Sequence, residues 1–191
     1  MNKEFSPDHL DVVAFAKAGA TLTGVDPIAH YPRLADDYMV PDQEATGITH
    51  TKVSVAWSAV GEHMPEIGGI GQFWLHLQAH AVLPMTCQRC LQPADIVLQV
   101  QRSFRFVKDE ASVQAQDDDY EEDLLAISRD FDLHMLIEDE LLMEIPLVPR
   151  HDECPQAIPM TSSDTDFLQA VAEKPHPFAI LDQLRPKGNA G

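Results

Sequence analysis

Two short spacings carry most of the chemistry this chain can do. Cys87-Gln88-Arg89-Cys90 sets two thiols two residues apart, and His151-Asp152-Glu153-Cys154 repeats that spacing with an imidazole and a third thiol. A two-residue spacer lets both donors of a pair turn toward one ion, so the two pairs together predict a tetrahedral structural zinc site at Cys87, Cys90, His151 and Cys154. The alternative is three reduced thiols that only pack. A redox pair at Cys87 and Cys90 fits less well: such a pair opens a helix after a strand, whereas Leu91-Gln92-Pro93 leads into another strand. Three cysteines, an odd number, also argue against a disulfide scaffold.

The remaining constellations are weaker. His76 and His80 share a face of one strand, but residues four apart on a strand lie about 13 Å from each other, too far for one ion. Gly68-Gly69-Ile70-Gly71 lacks the lysine and following helix of a phosphate loop. No Gly-x-Ser-x-Gly elbow supports a serine nucleophile. Asp118 and Asp119 can each offer a magnesium ligand, yet acids in a mobile run make a poor cage. The expectation is a protein without catalytic activity.

These residues must be positioned by the elements around them. Val53–Ala59, Phe73–Ala81 and Ile96–Phe106 alternate apolar and polar side chains, the mark of a half-buried antiparallel sheet. The Pro65–Gly71 loop joins the first two and the Cys-x-x-Cys segment joins the second pair, a meander with its knuckle at one end. Leu124–Ile127 reads as a further strand, and Thr21–Val25 as a short early one. Asp132 caps a helix to Glu144, with Leu133, Leu136, Ile137, Glu140 and Leu141 along one face and Glu138, Asp139 and Glu144 outward; Pro146 and Pro149 end it. Ser6 and Pro7 start a short N-terminal helix closed by Gly19, residues 26 to 46 read as irregular, and Pro177 starts a short C-terminal helix with Phe178, Leu181 and Leu184 on one stripe. The fold class is α+β: an antiparallel meander with a packed helix and short helices at both ends. Three parts follow, a lead-in over 1–46, a core over 47–150 with an acidic loop at 109–123, and a loop with a docking tail over 151–191.

Charge narrows the partner. With 13 Lys+Arg against 31 Asp+Glu the net charge is −18, a field that repels phosphate backbones and attracts basic proteins. Asp117, Asp118, Asp119, Glu138 and Asp139 would supply that field, and Phe178 and Leu181 are a candidate docking stripe. The rival is direct RNA contact through a patch of Arg89, Arg102 and Arg105 beside the knuckle. No signal-like leader opens the chain and no apolar run reaches the ~18 residues of a span, so a soluble cytoplasmic protein is expected.

In order, these motifs resemble a known family. Cys87-Gln88-Arg89-Cys90 between alternating strands, Asp123-Leu124-Leu125, the Glu138-Asp139-Glu140 helix running into Ile145-Pro146-Leu147-Val148-Pro149 and His151, then Lys174-Pro175-His176-Pro177-Phe178-Ala179-Ile180-Leu181, look like the YceD family, described as large ribosomal RNA subunit accumulation proteins. The resemblance spans residues 45 to 185. It implies a cytosolic bacterial protein needed for normal 23S ribosomal RNA accumulation, hence ribosome biogenesis, with no known catalytic activity. Two positions depart from the pattern: Cys154 stands alone where many relatives carry a second Cys-x-x-Cys, and His176 stands where Asn is common. The expected partner is a basic ribosomal protein or 23S pre-rRNA in large-subunit assembly; the oligomeric state is left open.

Overall fold

The computed structural model describes residues 4–38, 53–66, 71–116 and 122–155. The chain divides into two units, Met1–Cys154 and Pro155–Gly191, and everything described below lies in the first, apart from Pro155. The expected C-terminal helix with Phe178 and Leu181, and the acids Asp117, Asp118 and Asp119, fall outside the described residues.

Five strands form one sheet in sequence order: β1 (Thr21–Pro27), β2 (Ser54–Met64), β3 (Gln72–Thr86), β4 (Pro93–Val107) and β5 (Asp123–Ala126). The first four pair antiparallel. The short β5 runs parallel to β4, with Phe104 opposite Asp123 and Val107 opposite Ala126. The expected meander is β2 to β4, β1 adds to it antiparallel, and the further strand β5 adds a parallel edge, which the chain reaches through a helix, α3 (Glu110–Gln116), set inside the stretch expected to be an acidic loop. Parallel neighbours need such a crossover, whereas a tight turn serves only antiparallel ones.

Alternation decides which face is buried. Val55, Trp57 and Ala59 of β2, Phe73, Leu75, Leu77, Ala79 and Ala81 of β3, and Leu98, Val100, Phe104 and Phe106 of β4 point to one side and are buried. Ser58, Gln78, His80, Gln99 and Gln101 occupy the opposite face. Trp57 sits against Gly24 on β1, where an added Cβ would come within 2.6 Å of the indole ring; only glycine permits that approach.

Helices cover the apolar face. The first, α1 (Val12–Ala18), is capped by Asp11, whose carboxylate accepts the Ala14 N–H at 3.0 Å, and it ends at Gly19 in the left-handed conformation (φ 55°). It starts later than Ser6-Pro7 suggested. Residues 7–9 ahead of it form a bend instead, with Leu10 bridged to Phe131 and the Pro7 carbonyl accepting the Leu133 N–H. A second helix, α2 (Pro32–Tyr38), follows a single 3-10 turn (Ile28–His30) in a stretch expected to be irregular. The last, α4 (Leu133–Glu144), is capped by Asp132 through the Met135 N–H at 2.9 Å and buries Leu133, Leu136, Ile137 and Leu141. Glu138 was expected to face solvent; it is buried, 5% exposed. Its Oε1 accepts the backbone N–H of Arg33 at 2.8 Å and of Leu34 at 3.2 Å, so a carboxylate of α4 caps the N-terminus of α2.

Candidate metal centre

The knuckle is built by the β3–β4 hairpin. β3 ends at Thr86 and β4 starts at Pro93, and the turn between them is closed by Cys87 N–H to Gln92 O (2.9 Å) and Leu91 N–H to Cys87 O (2.8 Å), with Leu91 at φ 60°. That geometry points both Cys87 and Cys90 to one side. The chain leaving α4 is then docked against the turn: the Gln88 N–H donates to Pro149 O at 2.8 Å. Five residues further on, the second donor pair has arrived.

The structure brings the four sequence-selected donors together. One atom from each of Cys87, Cys90, His151 and Cys154 lies within 4.8 Å of all the others. Cys87 Sγ is 3.9 Å from Cys154 Sγ, and Cys90 Sγ is 3.4 Å from His151 Nδ1. Zinc bonds of about 2.3 Å to sulfur and about 2.0 Å to nitrogen, set tetrahedrally, require S···S edges near ~3.8 Å and S···N edges near ~3.5 Å. These two edges have the lengths a zinc ion needs, and the remaining donor pairs lie within 4.8 Å. His151 Nε2 donates to Pro93 O at 2.9 Å. That bond fixes the tautomer and leaves Nδ1 as the free lone pair facing Cys90, the usual arrangement behind a ligating imidazole.

Electrostatics favour a thiolate at Cys87. Burial alone would push the Cys87 thiol up, but backbone N–H groups of His151, Cys90 and Arg89 point at its sulfur and bring it down to about 5. Burial pushes the Cys90 thiol up, and the neighbouring sulfurs of Cys154 and Cys87 add to that, so one thiolate forms readily and the next resists. A divalent cation removes the resistance by holding all the thiolates at once. Three thiolates and a divalent ion would leave one net negative charge. Arg89 supplies the counter-charge: its Nε donates to Cys154 Sγ at 3.1 Å and its Nη2 to the carbonyls of His151 and Asp152 at 3.1 and 3.3 Å.

The other sequence-selected residues do not gather into a surface patch. Arg102 lies on the sheet beside α4, 3.6 Å from Asp123 and 3.4 Å from the buried Glu140. Arg105 is only 8% exposed. Arg89, Arg102 and Arg105 thus present no shared cationic face. Glu138 and Asp139 are both engaged by Arg33, at 2.9 and 2.7 Å. Sequence reasoning missed the buried network of Asp26, Tyr31, Trp57 and His134 altogether. Asp26 accepts from Tyr31 Oη at 3.1 Å and from Trp57 Nε1, and its Oδ2 lies 3.3 Å from His134 Nε2. The only local signal was the four-residue spacing from Asp26 to His30, in a stretch whose prolines discouraged any structural reading.

These features define a class: an α+β protein whose mostly antiparallel sheet ends in a Cys/His knuckle with metal-site geometry. Comparison gives the family. The family model for the large ribosomal RNA subunit accumulation protein YceD matches residues 75–185, and the chain belongs to that family. It is similar to the large ribosomal RNA subunit accumulation protein YceD of Haemophilus influenzae, 29% identical over 106 residues, 54% of this chain and 60% of that relative's length. No solved structure matches the chain. Among the described residues no helix is long and apolar enough to cross a membrane.

Proposed function

We propose that this protein is a non-catalytic, cytoplasmic factor of large-subunit assembly, promoting 23S rRNA accumulation by holding a basic ribosomal protein through its acidic surface. The family match over residues 75–185 supports the ribosomal role, since the related Haemophilus protein carries the name of large ribosomal RNA subunit accumulation. The observation that favours a protein partner over bare RNA is the fate of the arginines. Arg33, Arg89 and Arg102 bind carboxylates, a thiol and carbonyls of the fold itself, and Arg105 is buried. RNA affinity comes largely from cations that release counterions from phosphates, and a chain of net charge −18 has few to spare.

In this reading the knuckle holds a structural zinc ion on Cys87, Cys90, His151 and Cys154. The ion would clamp the chain after α4 to the tip of the β3–β4 hairpin. The test is a pull-down from cell lysate at low and high salt, with and without nuclease. Basic ribosomal proteins retained after nuclease and released by salt are the expected result. RNA recovered without them, and unaffected by neutralising Asp117, Asp118, Asp119 and Asp139, would refute the acidic-holder mechanism.

A further inference from the structure

A second ligand set forms where the edge strand meets the start of α4. Asp26 sits on the inward side of β1, His30 ends the 3-10 turn that follows it, and His134 is the second residue of α4. One donor atom from each of the three lies within 4.8 Å of the others. None of these residues belongs to the knuckle, and none carries sulfur.

His134 presents an unpartnered ring nitrogen to this cluster. Its Nδ1 lies 2.8 Å from Asp8 Oδ1, a carboxylate that holds the proton on that nitrogen and leaves Nε2 as a lone pair. Nε2 is inaccessible to solvent and makes no hydrogen bond, although Asp26 Oδ2 is 3.3 Å away. Two acceptors do not face each other at that distance without a positive charge between or beside them. Asp26 cannot swing aside, because Oδ2 is held by Tyr31 Oη and Trp57 Nε1. Its Oδ1 lies 4.0 Å from His30 Nδ1, and the His30 and His134 rings meet edge to face with centroids 5.7 Å apart. The positive charge can be a second proton on His134 or a metal ion. A second proton would satisfy His134 alone and gives no role to the imidazole of His30 converging on the same carboxylate. A metal uses both rings and the carboxylate. The cluster also opens on a cavity of about 610 Å³ lined by Asp8, His30, Arg33 and Asp132, wide enough for water ligands to complete a shell. Arg33, the cation on that lining, is already engaged by Glu138 and Asp139.

We propose that Asp26, His30 and His134 form a second metal site, taking a borderline divalent first-row cation such as Zn2+ or Co2+, with Asp8 orienting His134 from behind. Two imidazoles and one carboxylate, with a cavity on the His30 side from which water can reach the ion, suit such ions rather than the softer ones thiolates prefer. The ion would tie the turn after β1 to the first turn of α4.

Co2+ titration of the untagged full-length chain separates the two sites by colour, because cobalt on thiolates gives an intense charge-transfer band and cobalt on nitrogen and oxygen does not. The informative variant is His30→Ala: this side chain is 57% exposed, so its loss leaves the fold intact. Wild type should bind one equivalent beyond the thiolate-coloured one, and His30→Ala should bind that extra equivalent at least ~10-fold more weakly with the thiolate band unchanged. Asp8→Asn should weaken the same equivalent by about 10-fold or more, the range for a group behind a ligating histidine. Equal uptake by wild type and His30→Ala would overturn the proposal. So would nitrogen NMR shifts showing both His134 nitrogens protonated in the presence of excess Zn2+. Neither readout depends on whether the protein acts in ribosome assembly.

Discussion

Replacing Glu138 separates a structural carboxylate from a partner-binding one. Its Oε1 accepts two backbone N–H groups at the start of α2, from Arg33 and Leu34, and Oε2 accepts the Arg33 Nε–H at 2.9 Å. Leu34 is fully buried, so water cannot replace the lost acceptor at its amide. A hydrogen bond to a charged group contributes about 1.5–3 kcal/mol net, and stranding a buried donor costs ~1–3 kcal/mol. The two amides share one oxygen, so the effects overlap. Glu138→Ala is expected to destabilise the fold by about 2–4 kcal/mol. Glu138→Gln keeps the acceptor oxygen and loses its charge, and should cost about 1 kcal/mol. Arg33→Ala should cost less than either, because that guanidinium is 47% exposed and solvent screens its pairs. Urea unfolding followed by circular dichroism reads all three, with an unchanged slope showing that the same unfolding is compared. If Glu138→Ala shifts stability by less than about 0.5 kcal/mol, the capping argument fails. If the same variant keeps wild-type stability but loses its partner in the pull-down, Glu138 is a contact residue after all.

Two further outcomes concern the knuckle. Because Cys87 is held at about 5 in the folded metal-free chain, below the ~8.5 of an unperturbed thiol, its contribution to stability should be fully present above pH ~8.5 and lost as pH falls through about 5. Thiolate ultraviolet absorbance that persists to near pH 5 and vanishes in Cys87→Ser is the expected result; absorbance appearing only above pH 8 would refute it. Zinc removal by a chelator should lower the thermal midpoint and expose all three thiols to a thiol reagent, and His151→Ala should weaken zinc binding while Cys87→Ser abolishes it. A chain that purifies without zinc and takes up none on titration would end the structural-zinc reading.

How much of this was legible depends on how local each cause is. The alternation in β2, β3 and β4 is written residue by residue, because one face meets helices and the other meets water, so those strands could be found from sequence though each runs longer than its clearest core. Asp132 and Gly19 act within a turn of themselves and were equally readable. α2 was not: its own sequence offers no capping side chain, and the cap arrives from Glu138 about one hundred residues away. Glu138 itself was misread for the converse reason, since an amphipathic pattern assigns charge to solvent and cannot foresee a buried partner. Ser6-Pro7 imitates a helix start, but the bridge of Leu10 to Phe131 and the Pro7–Leu133 bond tie that segment to the start of α4 instead. The four residues of β5 are too few to encode a direction. Within the site, each two-residue spacing was plain in the sequence, while the meeting of the pairs depends on the Gln88 to Pro149 bond that docks the chain after α4.

The two proposed metal sites stand differently toward the family. Cys87, Cys90, His151 and Cys154 all lie inside the matched span of residues 75–185, as does Arg89, which balances their charge. Asp8, Asp26 and His30 lie before it, and only His134 lies within. The knuckle is therefore made wholly of the segment that defines the family, whereas the second set needs the N-terminal lead-in to fold back on α4. It does so through Leu10 with Phe131 and Pro7 with Leu133, contacts that place Asp8 behind His134. A shortened chain beginning at β2 would keep every knuckle donor and lose Asp26 and His30. Loss of the proposed role in 23S rRNA accumulation on disrupting the knuckle, with that role retained on disrupting His30, would assign it to the first site and a chain-specific stabilising role to the second.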